Sequence, residues 1–327
     1  MAPSALPIEI EQDIHIYQAI CGNDNELFNR LIKEGNNVNT TSLGLSPLHL
    51  AVLYNNLTLV TTLTDNDADV DIVCGSVPAM QEGLRKLKLK KKVRAIQYIL
   101  SNDEADAILR DLGGATPLML AADEGNLLIV NHLLDKGANM NIQNEGGNTA
   151  LMIAIKYCDT PITRVLVKRG AELEIVGRKG RTALIHAAFS NHIGGMRILL
   201  KYGAKVNVID KDLNSALFLS AFKGGMENAK MLIEHGADHS LKDCRGRTAL
   251  MSAVVLNNHD IAEMLLKLGA DPNIQEVWHV TCLIYAASSG FTKTVRMLID
   301  YGANMDLQLK VSDFEEKKHA GRPCRCD

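Results

Sequence analysis

Residues 182–200 read TALIHAAFSNHIGGMRILL, and this stretch decides the fold. Leu184, Ala187 and Ala188 make one short apolar stripe at helical spacing, and Ile193, Ile198, Leu199 and Leu200 make a second. Asn191 stands between them, where sister stretches carry Gly125, Gly224 and Gly290. Glycine and asparagine tolerate the left-handed conformation that closes a helix, so two antiparallel helices with a tight turn are expected. Thr182 can accept a hydrogen bond from amides of the first helical turn, and Gly203 with Ala204 ends the second helix.

Outward from this unit, a hexad of the form Thr/Ser-Ala/Pro-Leu-x-x-Ala/Ser opens at Thr116, Thr149, Thr182, Ser215, Thr248 and Thr281, each 33 residues after the last, with Cys282 second in the final copy. Gly-Ala pairs at Gly137, Gly170, Gly203, Gly236, Gly269 and Gly302 keep the same period, so two signals fix one register. One such unit cannot bury both of its helices, and neighbours must stack. The small residues Ala121, Ala154, Ala187, Ser220, Ala253 and Ala286 allow the helices to approach closely.

A 33-residue helix pair opening on Thr-Pro-Leu-His-x-Ala-like residues resembles the ankyrin repeat. Ser46-Pro47-Leu48-His49-Leu50-Ala51 carries the resemblance best, followed by Thr116-Pro117-Leu118-Met119-Leu120-Ala121; later copies hold Ala in place of Pro. The resemblance covers roughly residues 13 to 310. It implies an all-α repeat solenoid of stacked helix-turn-helix pairs with projecting β-hairpin loops. Residues 1–12 read as an extension, 13–42 as a degenerate repeat, 43–75 as a repeat, 76–110 as a degenerate repeat with a basic insertion, 111–310 as six regular repeats and 311–327 as a tail, for nine repeats in all.

Composition excludes several classes. The formal net charge is −3 and aromatic residues make up 4%, so nothing global points to nucleic acid or a membrane surface. Met1 to Asp13 is acidic and lacks the apolar core of a secretory signal, and no run of 18 apolar residues is present. These features predict a soluble cytoplasmic chain. The seven cysteines lack the paired spacing of a zinc site, and Cys21, Cys158 and Cys282 read as reduced thiols. Cys324-x-Cys326 supplies only two ligands, so no metal is expected. No nucleotide-binding, metalloprotease or nucleophile-elbow signature occurs, so neither catalytic residues nor a cofactor are expected. By the resemblance, His49 bonds backbone of adjoining loops.

In ankyrin repeats the loops and first helices form a concave surface for protein recognition. The seventh and eighth places after each opening residue are expected to face it, and they align Tyr157, Phe189, Phe222, Val255 and Leu256. Two of only six phenylalanines thus stand one period apart. The loop tips add Arg178, Lys179, Arg181, Lys211, Arg245, Arg247 and Trp278, a basic ridge ending on the only tryptophan. Arginine and tryptophan often dominate interface energies. An unidentified protein partner with an acidic, partly apolar segment is therefore expected across residues 157 to 281, without direct contact to nucleic acid. The competing explanations are packing against the next repeat for the aromatic residues and solubility for the tips.

Arg85, Lys86, Lys88, Lys90, Lys91, Lys92 and Arg94 place seven positive charges in ten residues. The run fits a nuclear import signal or an anion-binding patch, and equally a solvated helix face. The leading function is a non-catalytic scaffold or adaptor. The alternative is a substrate-recognition subunit of an enzyme assembly such as a ubiquitin ligase or phosphatase. The resemblance also marks Asn39, Asn141, Asn207 and Asn273 as positions that resemble the site of asparagine hydroxylation in ankyrin repeats.

Overall fold

In a computed structural model, which describes residues 8–86 and 112–307, every opening hydroxyl is a helix cap. The side chains of Ser46, Thr116, Thr149, Thr182, Ser215, Thr248 and Thr281 each accept from the amide three residues on. Each bond satisfies a donor that the first helical turn leaves without an intrahelical partner. The chain divides into two units, Met1–Arg178 and Lys179–Asp327, taken one at a time.

The first unit holds α1 (Ile8–Gly22), α2 (Asn25–Lys33), α3 (Pro47–Leu53), α4 (Leu57–Asp65), α5 (Val77–Lys86), α6 (Pro117–Asp123), α7 (Leu127–Asp135), α8 (Ala150–Lys156) and α9 (Thr160–Lys168). The second holds α10 (Ala183–Phe189), α11 (Ile193–Lys201), α12 (Ala216–Lys223), α13 (Met226–Glu234), α14 (Ala249–Val255), α15 (His259–Lys267), α16 (Cys282–Ser288) and α17 (Thr292–Asp300). Within each unit the first helix of a pair packs on the first helix of the next pair, as α6 does on α8 and α12 on α14. The turn inside each pair passes through a left-handed residue, Asn191 at φ 51° and Gly224 at φ 69° among them.

The core repeats with the sequence. Leu133, Leu166, Leu199, Leu232, Leu265 and Leu298 stand one period apart, and each is 0% exposed. Burying a leucine is worth about 1.5–3 kcal/mol, so this column contributes on that order in each repeat, beside neighbours such as Ile129, Ile162 and Ile261. On the first helices Ala121, Ala154, Ala187, Ser220, Ala253 and Ala286 are all fully buried, as expected from their size.

The Ser46 repeat packs on the Thr116 repeat. α3 packs directly on α6, and α4 on α7. His49 Nε2 donates to the carbonyl of Ala115 at 3.0 Å, and the Cys74 amide donates to the same oxygen at 2.8 Å. The Ser46 and Thr116 repeats are therefore immediate neighbours, and the described residues hold eight helix pairs. Residues 87–110 of the stretch read as a degenerate repeat with a basic insertion lie outside the described residues.

Two further differences are local. α1 begins at Ile8, ahead of the boundary placed at 13, and the first pair has no opening hydroxyl; instead the Tyr17 hydroxyl reaches the carbonyls of Leu45 at 2.5 Å and Thr40 at 3.0 Å. The expected β-hairpins are short turns, and among the described residues the single β-bridge joins Ile209 to Ser215. The five residues between them close as a turn, the Asp210 amide donating to the Asn214 carbonyl.

Candidate binding surface

The loops, or fingers, are built by one acidic or amide residue that recurs at the turn. Asp210 is 3% exposed; its Oδ1 accepts the amides of Asp212 at 3.0 Å and Asn214 at 2.9 Å, while its own amide donates to the Asn214 carbonyl at 3.0 Å. Asp243 repeats the pattern with the amides of Arg245 at 3.0 Å and Arg247 at 2.8 Å, and Asn144 accepts from the Asn148 amide at 2.8 Å. Glu276 holds the corresponding place in the last finger, where Oε1 accepts from the Trp278 amide at 3.2 Å and Oε2 is buried without a hydrogen-bond partner. Burial pushes the Glu276 carboxyl above its ordinary range, against the opposing pull of the Trp278 amide and the Arg247 charge. This column at Asn144, Asp210, Asp243 and Glu276 is legible as a 33-residue period of polar residues interrupted once, at Gly177, but it lies outside the set singled out from sequence.

Successive fingers of the second unit are tied through their backbones. The Lys211 amide donates to the Lys179 carbonyl at 2.9 Å, Cys244 to Asp212 at 3.0 Å, and Val277 to Arg245 at 2.9 Å. Behind them, Asn207 Oδ1 accepts from the Asp238 amide at 2.8 Å while its Nδ2 donates to the Gly236 carbonyl at 3.1 Å, and Asn273 bridges Asn304 and Gly302 alike. In the first unit Asn39 and Asn141 make equivalent bridges to Asp69 and Glu172. These four asparagines hold neighbouring repeats in register.

In the second unit the aromatic and basic residues expected at a binding face come together. The rings of Phe189 and Phe222 are 39% and 40% exposed. Arg181 Cζ lies 4.6 Å from the Phe189 ring centre, and Lys223 Nζ lies 4.3 Å from Phe189 and 5.7 Å from Phe222. Cations over aromatic faces are attracted by the ring quadrupole, so the Lys223 ammonium is held between adjacent repeats. Arg245 stacks on Trp278 at 5.6 Å. Leu256 is exposed and Val255 half-buried beside it. Lys211, Lys223 and Arg245 make no ion pair with a described carboxylate.

Arg181 and Arg247 also serve the fold. Arg181 Nε donates to buried Asp210 at 3.1 Å, and Arg247 donates through Nε and Nη2 to Asp243 at 2.8 and 2.6 Å. Their charges are largely committed to those carboxylates, while Lys179 and Lys211 are exposed at the tips.

Tyr157 and Arg178 belong to the first unit, where the surroundings differ. Tyr157 lines a 430 Å³ cleft with Asp123, Glu124, Cys158 and Pro161. Its phenol is pushed up by burial and by the Asp123 charge, with Lys156 Nζ 5.2 Å from the ring opposing. Arg178 is exposed, its amide donating to the Gly146 carbonyl. Arg85 and Lys86 are the last residues of α5, and Lys88, Lys90, Lys91, Lys92 and Arg94 lie outside the described residues. The described residues hold no cluster of ligands suited to a metal, no disulfide among Cys21, Cys74, Cys158, Cys244 and Cys282, and no helix long and apolar enough to cross a membrane.

The chain matches family models for ankyrin repeats over residues 118–210 and 206–276, and for the single ankyrin repeat over 43–74 and 278–310. An ankyrin repeat protein of Rickettsia felis is 30% identical over 129 residues, which is 39% of this chain and 44% of that protein, so the chain spans under half the length of this curated relative. Among solved structures, the ankyrin repeat domain of Bcl-3, described as a unique member of the IkappaB protein family, superposes with a TM-score of 0.55 at 30% identity, over 60% of this chain and 90% of that one. Ankyrin repeats generally mediate protein–protein interaction, and this chain, with repeat models matched on both sides of its basic insertion, belongs to the ankyrin repeat family.

Proposed function

We propose that the chain is a non-catalytic interaction module that binds an acidic, partly apolar protein segment along the 179–281 face. One observation carries this reading: Phe189 and Phe222 stand exposed on adjacent repeats with the Lys223 ammonium over both rings, beside Lys211 and Arg245, which have no described carboxylate partner. Desolvating those aromatic faces supplies affinity, and the cations supply steering and register for carboxylates. Trp278 stacked on Arg245 is the anchor at the far end. The chain acts in the cytoplasm as a scaffold or adaptor.

Affinity capture from a cell extract tests this, with wild type and a Phe189→Ala, Phe222→Ala, Trp278→Ala variant compared by mass spectrometry. Partners carrying acidic segments that are lost from the variant support the reading. Identical captures overturn it and move recognition elsewhere on the chain.

A further inference from the structure

The tip of each finger passes through a left-handed residue. Gly114, Gly147, Gly180 and Gly246 hold this place with φ between 67° and 79°. Glycine is required there at two of these tips for space as well: a Cβ would lie 2.7 Å from the Arg178 amide at Gly147, and 2.9 Å from the Lys211 amide at Gly180. In the finger at 209–214 the place is taken by Leu213, at φ 61°. Among the left-handed residues that are not glycine, Asn23, Asn55, Asp67, Asn191, Asn257 and His279 are of the types that tolerate this conformation, while Cys158, at the turn of a helix pair, and Leu213, at a finger tip, are not. The Cβ of leucine crowds the following carbonyl, and its side chain has no polar atom to offset that by a local hydrogen bond.

What the leucine does in return is outward. Its side chain is 43% exposed, and Ile209 on the same finger is 40% exposed. Exposed Lys211 stands between them, and Arg245 follows on the next finger. Asp210 and Asp243 are turned inward and buried, and half-exposed Asp212 stands among Lys179, Lys211 and Arg245, so the net charge this row shows to solvent is positive. The backbone bonds from Lys211 to Lys179 and from Cys244 to Asp212 fix the finger on both sides. A rigid apolar tip between cations complements an apolar side chain flanked by carboxylates.

We propose that Leu213 is a specificity-determining residue that seats an apolar side chain of an acidic protein segment at the finger tips. This rests on the reading of the 179–281 face as a binding surface for such a segment. Strain retained at a surface position is the pattern expected where binding, rather than stability, sets the residue.

The test uses the full chain and a displayed library of random dodecapeptides. Enriched peptides are synthesised and titrated by fluorescence anisotropy against wild type, Leu213→Gly, Leu213→Asn and Phe222→Ala, and the thermal midpoint of each variant is recorded. The expected peptides are acidic with an apolar residue. Both Leu213 variants then bind about fivefold or more weakly, while their midpoints stay level or rise, since glycine and asparagine relieve the left-handed leucine. If both bind like wild type while Phe222→Ala weakens binding, the role of Leu213 is overturned and the groove reading stands. Weakening by the glycine variant alone, or a lowered midpoint in both, makes the residue structural and also overturns the proposal. Failure to enrich acidic peptides overturns the groove reading and this inference together.

Discussion

The units at 1–178 and 179–327 are built from the same kind of helix pair and the same kind of core, yet they present different faces at the same repeat positions. In the first unit the groove places hold Asp123, Glu124, Lys156 and Tyr157, around a cleft lined by three carboxylates. In the second they hold Phe189, Phe222, Lys223, Val255 and Leu256, with cations stacked on the rings. The buried column is the same leucine in both, from Leu133 to Leu298. A repeat constrains the positions that touch its neighbours and leaves the outward positions open, and the proposed recognition is placed at those outward positions. The fold itself does not name a function, and the contrast between the two faces does the discriminating.

The largest effect should leave the contrast intact. Leu133→Ala in the first unit and Leu232→Ala in the second each remove a fully buried side chain and should cost about 2–5 kcal/mol, seen as lower denaturant midpoints. A negligible loss at either would break the equivalence of the two cores.

A second effect belongs to the first unit. Burial lowers the His49 pKa to about 4, against the help of the Ala115 carbonyl. The imidazole is neutral in the fold: Nε2 donates to Ala115 O and Nδ1 accepts from the Ser46 amide at 3.2 Å. The unfolded chain binds this proton from about pH 6.5 downward, so the stability is fully present above that pH and is lost as the pH falls toward 4, by up to about 3 kcal/mol. Urea midpoints at pH 7 and pH 4.5 should differ less for His49→Gln than for wild type. Equal pH dependence in both proteins would remove His49 as the cause.

The next effect should sharpen the contrast. Trp278→Ala should weaken binding of an acidic partner by about 2 kcal/mol or more, whereas Asp123→Ala should leave it unchanged, both read by titration. Equal losses would put the partner on both units. The smallest effect is ionic: binding should weaken severalfold from low to high salt, because Lys211, Lys223 and Arg245 act at the surface. Salt-independent affinity would leave recognition to the apolar residues alone.

Most of the fold was legible because its determinants are single residues with strong local preferences. The caps at Ser46 and Thr116, the turn at Asn191 and the Gly-Ala ends each follow from one side chain or its lack. That the Ser46 and Thr116 repeats adjoin was not legible, because it rests on His49 and Cys74 sharing the Ala115 carbonyl, a contact between residues far apart in the chain. At the proposed binding face, the exposure of Phe189 and Phe222 agrees with their helical phase. Arg181 and Arg247 were counted as tip contacts, and their bonds to Asp210 and Asp243 depend on loop geometry that a linear pattern does not carry. Leu213 was missed although its signal is in the chain, as the leucine in a column otherwise held mainly by glycine.

Hydrogen–deuterium exchange of the full chain, with and without a selected acidic peptide, tests the central claim most directly. The account predicts slowed exchange at fingers 178–181, 210–214, 243–247 and 276–280 and at the ends of α10 and α12, with no change around Asp123, Glu124 and Glu145. Protection centred on residues 113–161, with the second-unit fingers unchanged, would contradict it.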